Sequence, residues 1–200
     1  MLRLGLYGGS FDPVHRGHLL VAHAALEELG LDRLHLLPAT QSPFKPESQP
    51  ARAALRLRML RLAFAGQTRM EVDAREIARG GVSYSIDTVR EFQREYHGAE
   101  LFWLIGADHV AALPRWREAE QLAGLVEFVV IPRPGTDAPP PPALPAPFRL
   151  RHLRGFPLAL SSSEIRDRVR RDLPIRHLVP AAVAELIASE CLYRDTPSGC

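Results

Sequence analysis

Short apolar runs and helically spaced apolar positions alternate along the 200-residue chain. The runs at residues 2–7, 34–37, 101–105 and 126–131 are typical of strands that are buried on both faces. Residues 70–72 and 158–160 are shorter candidate strands. Apolar side chains recur every three or four residues, which predicts one face of a helix in each case: Leu19, Ala22, Leu26 and Leu29; Leu55, Met59 and Leu62; Val89, Phe92 and Tyr96; and Val183 with Ile187 after Pro180.

This alternation predicts βαβ units and therefore an α/β fold with a Rossmann-like parallel sheet flanked by helices. A small C-terminal helical portion is expected from about residue 161 onward. We expect residues 1–194 to form a single domain and residues 195–200 to be a flexible tail. Eight of the 18 prolines lie between residues 132 and 147. They predict a surface loop, and a docking site for a proline-recognising partner is the alternative.

The charge balance argues against a nucleic-acid partner. Lys and Arg total 25, Asp and Glu total 23, and the formal net charge is +2. Lys45 is the only lysine. The first residues do not resemble a signal peptide, and no apolar run approaches the length of a membrane span. Cys191 and Cys200 form neither a disulfide framework nor a zinc site pattern. We therefore expect a cytoplasmic protein without a membrane partner, and a homo-oligomer is left open.

The turn after the first strand carries the clearest chemical signal. Residues 8–18 read GGSFDPVHRGH and lie between a predicted strand and a predicted helix. Ligands of open parallel sheets bind at the carboxyl ends of the strands. Paired glycines allow an anion to approach the backbone, and the start of the following helix favours phosphate. His15 and His18, three residues apart, can both donate hydrogen bonds to phosphate oxygens.

These histidines have other interpretations. Each can be a loop or cap residue, and the two can be a metal pair, although no acidic or cysteine partner is close in sequence. The segment matches neither the P-loop pattern nor the dinucleotide pattern G-x-G-x-x-G.

Residues 8–18 resemble the GGSFDP-x-H-x-GH signature of the HxGH nucleotidyltransferases. Residues 160–166, LSSSEIR, resemble the second motif of that superfamily. The wider chain is similar to the bacterial nicotinate-nucleotide adenylyltransferases over roughly residues 1–194. The matching segments are SYSIDT at 83–88, IGAD at 105–108, LPRW at 113–116, RPG at 133–135, and LVP at 178–180 with LY at 192–193. Phe44, Arg117 and Cys191 depart from the usual residues of that family.

The resemblance implies transfer of AMP from ATP to nicotinate mononucleotide, which yields nicotinate adenine dinucleotide (deamido-NAD) and pyrophosphate. It implies that His15, His18 and Arg166 are catalytic and that magnesium is held mainly by the ATP phosphates, with no protein metal ligand assigned. The implied ATP-binding residues are Gly8, Gly9, Ser10, Phe11, His15, His18, Lys45, Gly106, Asp108, Arg133, Ser161, Ser162, Ser163, Ile165 and Arg166. The implied mononucleotide-binding residues are Gly9, Ser10, Lys45, Tyr84, Ser85, Asp108 and Trp116.

Several of these residues also have purely structural interpretations. Ser161 with Glu164 fits a capping box, and Asp108 and Ser85 fit helix N-caps. Trp116 can be a core residue, and Lys45 can be a solvated loop residue.

Alternatives for the whole protein also remain. They are the same chemistry on nicotinamide mononucleotide or phosphopantetheine, a non-catalytic nucleotide-binding module, and a scaffold acting through the proline-rich segment.

Overall fold

The computed structural model describes residues 1–41, 43, 50–132, 144–156 and 158–194. Six parallel strands form one sheet in the order β3-β2-β1-β4-β5-β6. The strands are β1 Arg3–Gly9, β2 Arg33–Pro38, β3 Met70–Val72, β4 Glu100–Gly106, β5 Glu127–Ile131 and β6 Leu150–His152. The helices are α1 Arg16–Glu28, α2 Ala53–Ala63, α3 Arg75–Arg79, α4 Ser85–Glu95, α5 Ala119–Leu125, α6 Ser162–Arg170 and α7 Ala181–Ser189, with a 3₁₀ helix at Ala107–Arg115.

The sheet is buried on both faces, which explains the continuous apolar runs. Along β4, Phe102 and Leu104 belong to one core cluster, whereas Leu101, Trp103 and Ile105 belong to the other. Because side chains alternate across a strand, each face of β4 packs against a separate helical layer. The predicted α/β class with a Rossmann-like parallel sheet is thereby confirmed.

The strand order places a topological switch at the centre of the sheet. β1 pairs with β2 on one side and with β4 on the other, and Leu6 lies opposite both His35 and Trp103. The chain therefore winds outward from β1 to β3 and then returns past β1 to begin β4. Ligands of such sheets bind outside the carboxyl ends of the strands at this point.

The C-terminal helical portion packs against one face of the sheet. Val183, Leu186 and Ile187 of α7 share a core cluster with Met59 of α2 and Tyr7 of β1. The helix predicted near residue 161 is α6, and the helix predicted after Pro180 is α7. Residues 195–200, the predicted tail, lie outside the described residues. In the parts of the chain that the structure describes, no helix is long and apolar enough to cross a membrane.

Some details of the sequence prediction were wrong. Residues 158–160 are not a strand, and the sixth strand is instead β6, where Leu150 pairs with Phe128 of β5. β6 lies at the sheet edge and has exposed arginine and histidine positions, so it lacks an apolar run. The short helices α3 and α5 and the 3₁₀ helix were not predicted. Leu62 is exposed, and Leu60 takes the expected core position.

Candidate active site

A cavity of about 940 Å³ opens at the carboxyl ends of β1 and β4. This volume falls within the range of roughly 300–1,000 Å³ that is typical of small-molecule sites. Most of the predicted site residues line it: Gly8, Gly9, Ser10, Phe11, His15, His18, Ser85, Gly106, Trp116, Ser161, Ser162, Ser163 and Arg166. The two motifs at opposite ends of the sequence therefore meet at one site.

The first turn is shaped by tight packing of its backbone. A Cβ atom on Gly8 would lie 3.1 Å from the Trp103 ring, and one on Gly9 would lie 3.2 Å from the Phe11 ring. Glycine at these two positions therefore avoids close contact with the neighbouring rings, in addition to allowing the predicted approach of an anion. Phe11 is 2% exposed and has a φ of 47°. A bulky residue rarely adopts this conformation, and such strain clusters at functional sites.

The two histidines stack at the start of α1. Their ring centroids are 3.7 Å apart, and the backbone N–H of His15 donates to Nδ1 of His18 at 3.1 Å. Since Nδ1 accepts, the proton of a neutral His18 ring is placed on Nε2, which makes Nε2–H a hydrogen-bond donor. A Cβ atom on Gly17 would lie only 3.0 Å from the His15 ring, so the close stacking depends on glycine there.

His15 differs from His18 in its burial. Its side chain is 6% exposed, and desolvation lowers its pKa from 6.5 to about 4. His15 is therefore neutral at physiological pH. Its Nδ1 is buried and has no hydrogen-bond partner among the described residues.

The second motif docks against the first turn through hydrogen bonds to backbone carbonyls. Arg166 Nη1 donates to the carbonyl oxygen of Asp12 at 2.7 Å, and Arg166 Nη2 donates to Ser163 Oγ at 3.1 Å. Ser162 Oγ donates to the carbonyl oxygen of Pro13 at 2.9 Å. Ser161 Oγ accepts from the Glu164 N–H at 3.1 Å, so this serine caps α6 and also lines the cavity.

Three residues that support this turn were missed by sequence reasoning. Asp12, considered only as a turn-former, is 5% exposed and accepts a hydrogen bond of 2.7 Å from the Tyr193 hydroxyl. Arg56 is buried, and its Nη1 donates to the carbonyl oxygens of Ser10 and Ala39 at 2.8 Å each. Burial lowers the pKa of Arg56. The neighbouring arginines of α2 make Arg56 look like one more solvated residue, and Tyr193 lies far from Asp12 in sequence.

Another wall of the cavity contains a buried carboxylate that was also missed. Glu76 Oε1 accepts from the Thr88 hydroxyl at 2.7 Å, and the Ser83 hydroxyl also donates to its carboxylate. Burial raises the pKa of Glu76, and the two hydroxyl hydrogen bonds oppose that shift. Thr40 joins the network, because its N–H donates to Ser83 Oγ at 3.0 Å and its hydroxyl donates to the Glu76 carbonyl oxygen at 2.7 Å.

Ser85 and Trp116 complete this side of the cavity. Tyr84, not Ser85, occupies the N-cap of α4, and Ser85 is the first helical residue. Because Ser85 lines the cavity, the start of α4 faces it. The first N–H groups of a helix have no hydrogen-bond partner within that helix. Trp116 is half-buried and packs edge-on against Phe128 with ring centroids 6.2 Å apart, so one indole serves both the core and the cavity wall.

Other predicted residues lie elsewhere. Tyr84 does not line the cavity and stacks with Arg117, whose guanidinium carbon is 4.6 Å from its ring centroid. Asp108 is exposed in the first turn of the 3₁₀ helix, and Gly106 is at its N-cap, so the N-cap interpretation of Asp108 was wrong. Ile165 is buried in the core. Lys45 and Arg133 lie outside the described residues.

A Rossmann-type sheet with a histidine-bearing strand–turn–helix at its switch point defines a nucleotide-binding α/β protein. The family model for cytidylyltransferase-like proteins matches residues 6–168. The chain belongs to this cytidylyltransferase-like family.

Two curated relatives show which members of this family the chain resembles. A protein of Opitutus terrae named "Probable nicotinate-nucleotide adenylyltransferase" is 42% identical over 195 residues, which cover 98% of this chain and 100% of the relative. A protein of Gemmatimonas aurantiaca with the same name is 45% identical over 202 residues, covering 99% and 95% of the two chains. The resemblance to nicotinate-nucleotide adenylyltransferases is therefore confirmed.

A solved structure supports the fold. The Plasmodium falciparum nicotinic acid mononucleotide adenylyltransferase, complexed with NaAD, superposes with a TM-score of 0.77 at 15% identity. The match covers 96% of this chain and 98% of the other.

Proposed function

We propose that this protein transfers AMP from ATP to nicotinate mononucleotide, forming nicotinate adenine dinucleotide and pyrophosphate in NAD biosynthesis. The observation that carries the proposal is a single cavity that holds the histidine pair and Arg166 together with Ser85 and Trp116. Its relatives over nearly the whole chain carry the name of this enzyme. Such a transfer needs two sides in one cavity. The phosphate side is formed here by His15, His18, Arg166 and the start of α6, and the acceptor side by Ser85, Trp116 and Glu76.

The chemistry requires alignment and charge stabilisation. A phosphate oxygen of the mononucleotide attacks the α-phosphorus of ATP, and the bond from that phosphorus to the oxygen bridging it to the β-phosphate breaks. Pyrophosphate leaves with the bonding electron pair. Because the nucleophile is already an anion, no general base is needed, and positioning and electrostatics supply the catalysis.

The histidine pair is suited to this task through its ring N–H donors. His18 presents Nε2–H because its Nδ1 accepts from the backbone. We propose that this N–H contacts the α-phosphate as charge develops in the transition state. His15 stacks beside it and is kept neutral by burial, so its role is hydrogen bonding rather than cationic attraction.

The start of α6 is proposed to hold the leaving pyrophosphate. Arg166, Ser162 and Ser163 line the cavity, and the first N–H groups of the helix favour an anion. Because Arg166 donates to the carbonyl oxygen of Asp12, its guanidinium is oriented before ATP arrives. Preorganised donors of this kind contribute most when they require no rearrangement during the reaction.

The acceptor side is proposed to recognise the pyridine ring and its carboxylate. Trp116 supplies an aromatic face for stacking on the ring. The N-terminus of α4 at Ser85 carries a positive dipole end, which favours a carboxylate over a neutral amide. This preference supports nicotinate rather than nicotinamide mononucleotide.

The remaining roles are proposed from the family resemblance. Gly8, Gly9, Ser10, Phe11, Lys45, Gly106, Arg133 and Ser161 belong to the ATP subsite, and Gly9, Ser10 and Lys45 to the mononucleotide subsite. Tyr84, Asp108 and Ile165 are assigned to neither subsite, because they do not line the cavity. The enzyme is proposed to act in the cytoplasm without a nucleic-acid partner.

A divalent metal, proposed to be magnesium, would neutralise charge on the ATP phosphates. Three carboxylate residues line the cavity, namely Asp12, Glu76 and Glu164. The carboxylates of Asp12 and Glu76 are already engaged by protein hydrogen bonds, and Glu164 lies in the first turn of α6. Among the described residues no three His, Cys, Asp or Glu side chains cluster as metal ligands. The donor set fits an ion that is bound through phosphate oxygens and water.

The proposal is tested by measuring pyrophosphate release with ATP and magnesium. Nicotinate mononucleotide, nicotinamide mononucleotide and phosphopantetheine are offered in parallel, with a reaction lacking acceptor as control. We expect strong preference for the nicotinate form. Preference for another acceptor would overturn the substrate assignment, and tight nucleotide binding without release would favour a non-catalytic module.

A further inference from the structure

The carboxylate of Asp12 is buried beneath the phosphate side of the cavity and is contacted by three separate segments. The Tyr193 hydroxyl donates to Oδ1 at 2.7 Å, and the backbone N–H of Ala51 donates to the same oxygen at 3.3 Å. The other oxygen, Oδ2, lies 4.0 Å from Arg166 Nη1. The two oxygens of Asp12 therefore face different neighbours.

Arg166 is held by the same residue through its backbone. Its Nη1 donates to the Asp12 carbonyl oxygen at 2.7 Å, whereas the distance to Oδ2 exceeds that of a hydrogen bond. Arg166 therefore makes no bidentate pair with the carboxylate, although such a pair is the strongest arrangement open to the two side chains. Its second nitrogen, Nη2, is turned toward Ser163 at the cavity wall.

We propose that Tyr193 is a positioning residue for adenylyl transfer, because its hydroxyl occupies Oδ1 of Asp12 and so prevents that carboxylate from drawing Arg166 away from the leaving pyrophosphate. This inference rests on the proposed function. The Tyr193 hydroxyl is directed at Asp12, which lies 181 residues earlier in the sequence.

The surroundings of Tyr193 suit a fixed donor. The residue follows α7, and Leu192 beside it donates its N–H to the Ile187 carbonyl oxygen at 3.0 Å. Burial, followed by the charge and hydrogen bond of Asp12, raises the pKa of Tyr193 far above physiological pH. The hydroxyl therefore keeps its proton and continues to donate throughout the working pH range.

The C-terminal segment is anchored to the site by other contacts as well. The Arg16 N–H, at the start of α1, donates to the Leu178 carbonyl oxygen at 2.9 Å, and Arg58 of α2 pairs with Glu190 at 3.3 Å. Loss of one hydroxyl would leave these contacts in place. The effect of removing it is therefore expected on the rate rather than on the fold.

The test compares Tyr193→Phe with Tyr96→Phe, a control whose ring lies in the opposite core against His35 and Phe92. Steady-state kcat, both KM values and the melting temperature are measured. We expect kcat of Tyr193→Phe to fall about tenfold, since small misplacements of a positioned group can cost up to ~10²-fold. The KM for nicotinate mononucleotide and the melting temperature should stay close to the wild type, and Tyr96→Phe should retain full kcat.

A double-mutant cycle with Asp12→Asn separates positioning from general packing. If Tyr193 acts through the carboxylate, Tyr193→Phe should lower kcat by less than twofold in the Asp12→Asn background. An unchanged kcat in Tyr193→Phe, or an equal loss in both backgrounds, would overturn the inference. Should Tyr193→Phe fail to fold, Asp12→Asn alone must keep kcat close to the wild type, because the neutral amide no longer draws Arg166 and the backbone carbonyl that holds Arg166 remains; a tenfold loss would overturn the inference. A wild-type protein without turnover would instead overturn the proposed function.

Discussion

The two sides of the cavity are built in different ways. On the phosphate side, residues 8–18 are joined to Ser162, Arg166 and Tyr193 by hydrogen bonds between residues 149 to 181 positions apart. On the acceptor side, Glu76, Ser83 and Thr88 are joined to one another and to Thr40 over 7 to 43 positions. The phosphate side therefore depends on the docking of the C-terminal portion, whereas the acceptor side is assembled within one half of the chain.

The difference extends to the groups presented to ligand. The phosphate side presents preorganised donors, namely an imidazole N–H, a guanidinium and a helix start. The acceptor side presents a helix start, an aromatic face and a buried carboxylate. We infer that substitutions on the phosphate side change the rate of transfer and that substitutions on the acceptor side change which mononucleotide is used.

The largest effect is expected from His18→Ala. This change removes the oriented Nε2–H donor, and losing one such donor costs roughly 10²–10³ in kcat. The fold should be kept, because the Arg16 and His18 N–H groups retain their backbone acceptors, although the His15 N–H loses Nδ1 of His18 and the melting temperature should fall modestly. The measurement is steady-state pyrophosphate release, with His23→Ala on the same helix as a control that keeps full activity. Wild-type turnover in His18→Ala would remove the histidine from the mechanism.

The burial of His15 predicts a pH dependence of stability. Its folded pKa of about 4 lies below the usual 6.5, so the unfolded chain binds more protons between these values. Stability should therefore fall as the pH is lowered from about 6.5 toward 4, by roughly 3 kcal/mol from this group alone.

The measurement is urea unfolding of wild type and His15→Asn over this pH range. Taking the difference cancels the other titrating groups, including buried Glu76 and His35. The wild type should lose more stability on acidification than the variant. Parallel pH profiles would show that His15 titrates normally.

A smaller effect is expected from Trp116→Ala on the acceptor side. Stacking of a base on an aromatic side chain is worth roughly 1–3 kcal/mol by alanine substitution, so the KM for the mononucleotide should rise about tenfold or more. The KM for ATP should stay unchanged, and Trp116→Phe should restore most of the loss. A rise in the KM for ATP alone would show that Trp116 contacts ATP and does not belong to the acceptor side.

Sequence reasoning predicted the sheet and the residues at its switch point, because both leave local patterns. Buried strands produce apolar runs, and the segments GGSFDPVHRGH and SSSEIR are contiguous. It missed β6, which as an edge strand lacks an apolar run. It also missed Arg56, Asp12 and Tyr193, whose partners lie in distant segments. Glu76 is a charged residue in a short unpredicted helix, and only the assembled structure shows that it is buried.

The most direct measurement compares acid and amide acceptors in His18→Ala and Ser85→Asp. Aspartate at the first position of α4 is favourable for the helix, but its charge would repel a pyridine carboxylate. The account predicts that His18→Ala lowers kcat/KM equally for nicotinate and nicotinamide mononucleotide. Ser85→Asp should lower kcat/KM about tenfold or more for the nicotinate form only, whereas the neutral control Ser85→Asn should keep the wild-type preference. An equal loss with both acceptors in Ser85→Asp, or a changed preference in His18→Ala, would contradict the division of the site into a rate-setting side and a selecting side.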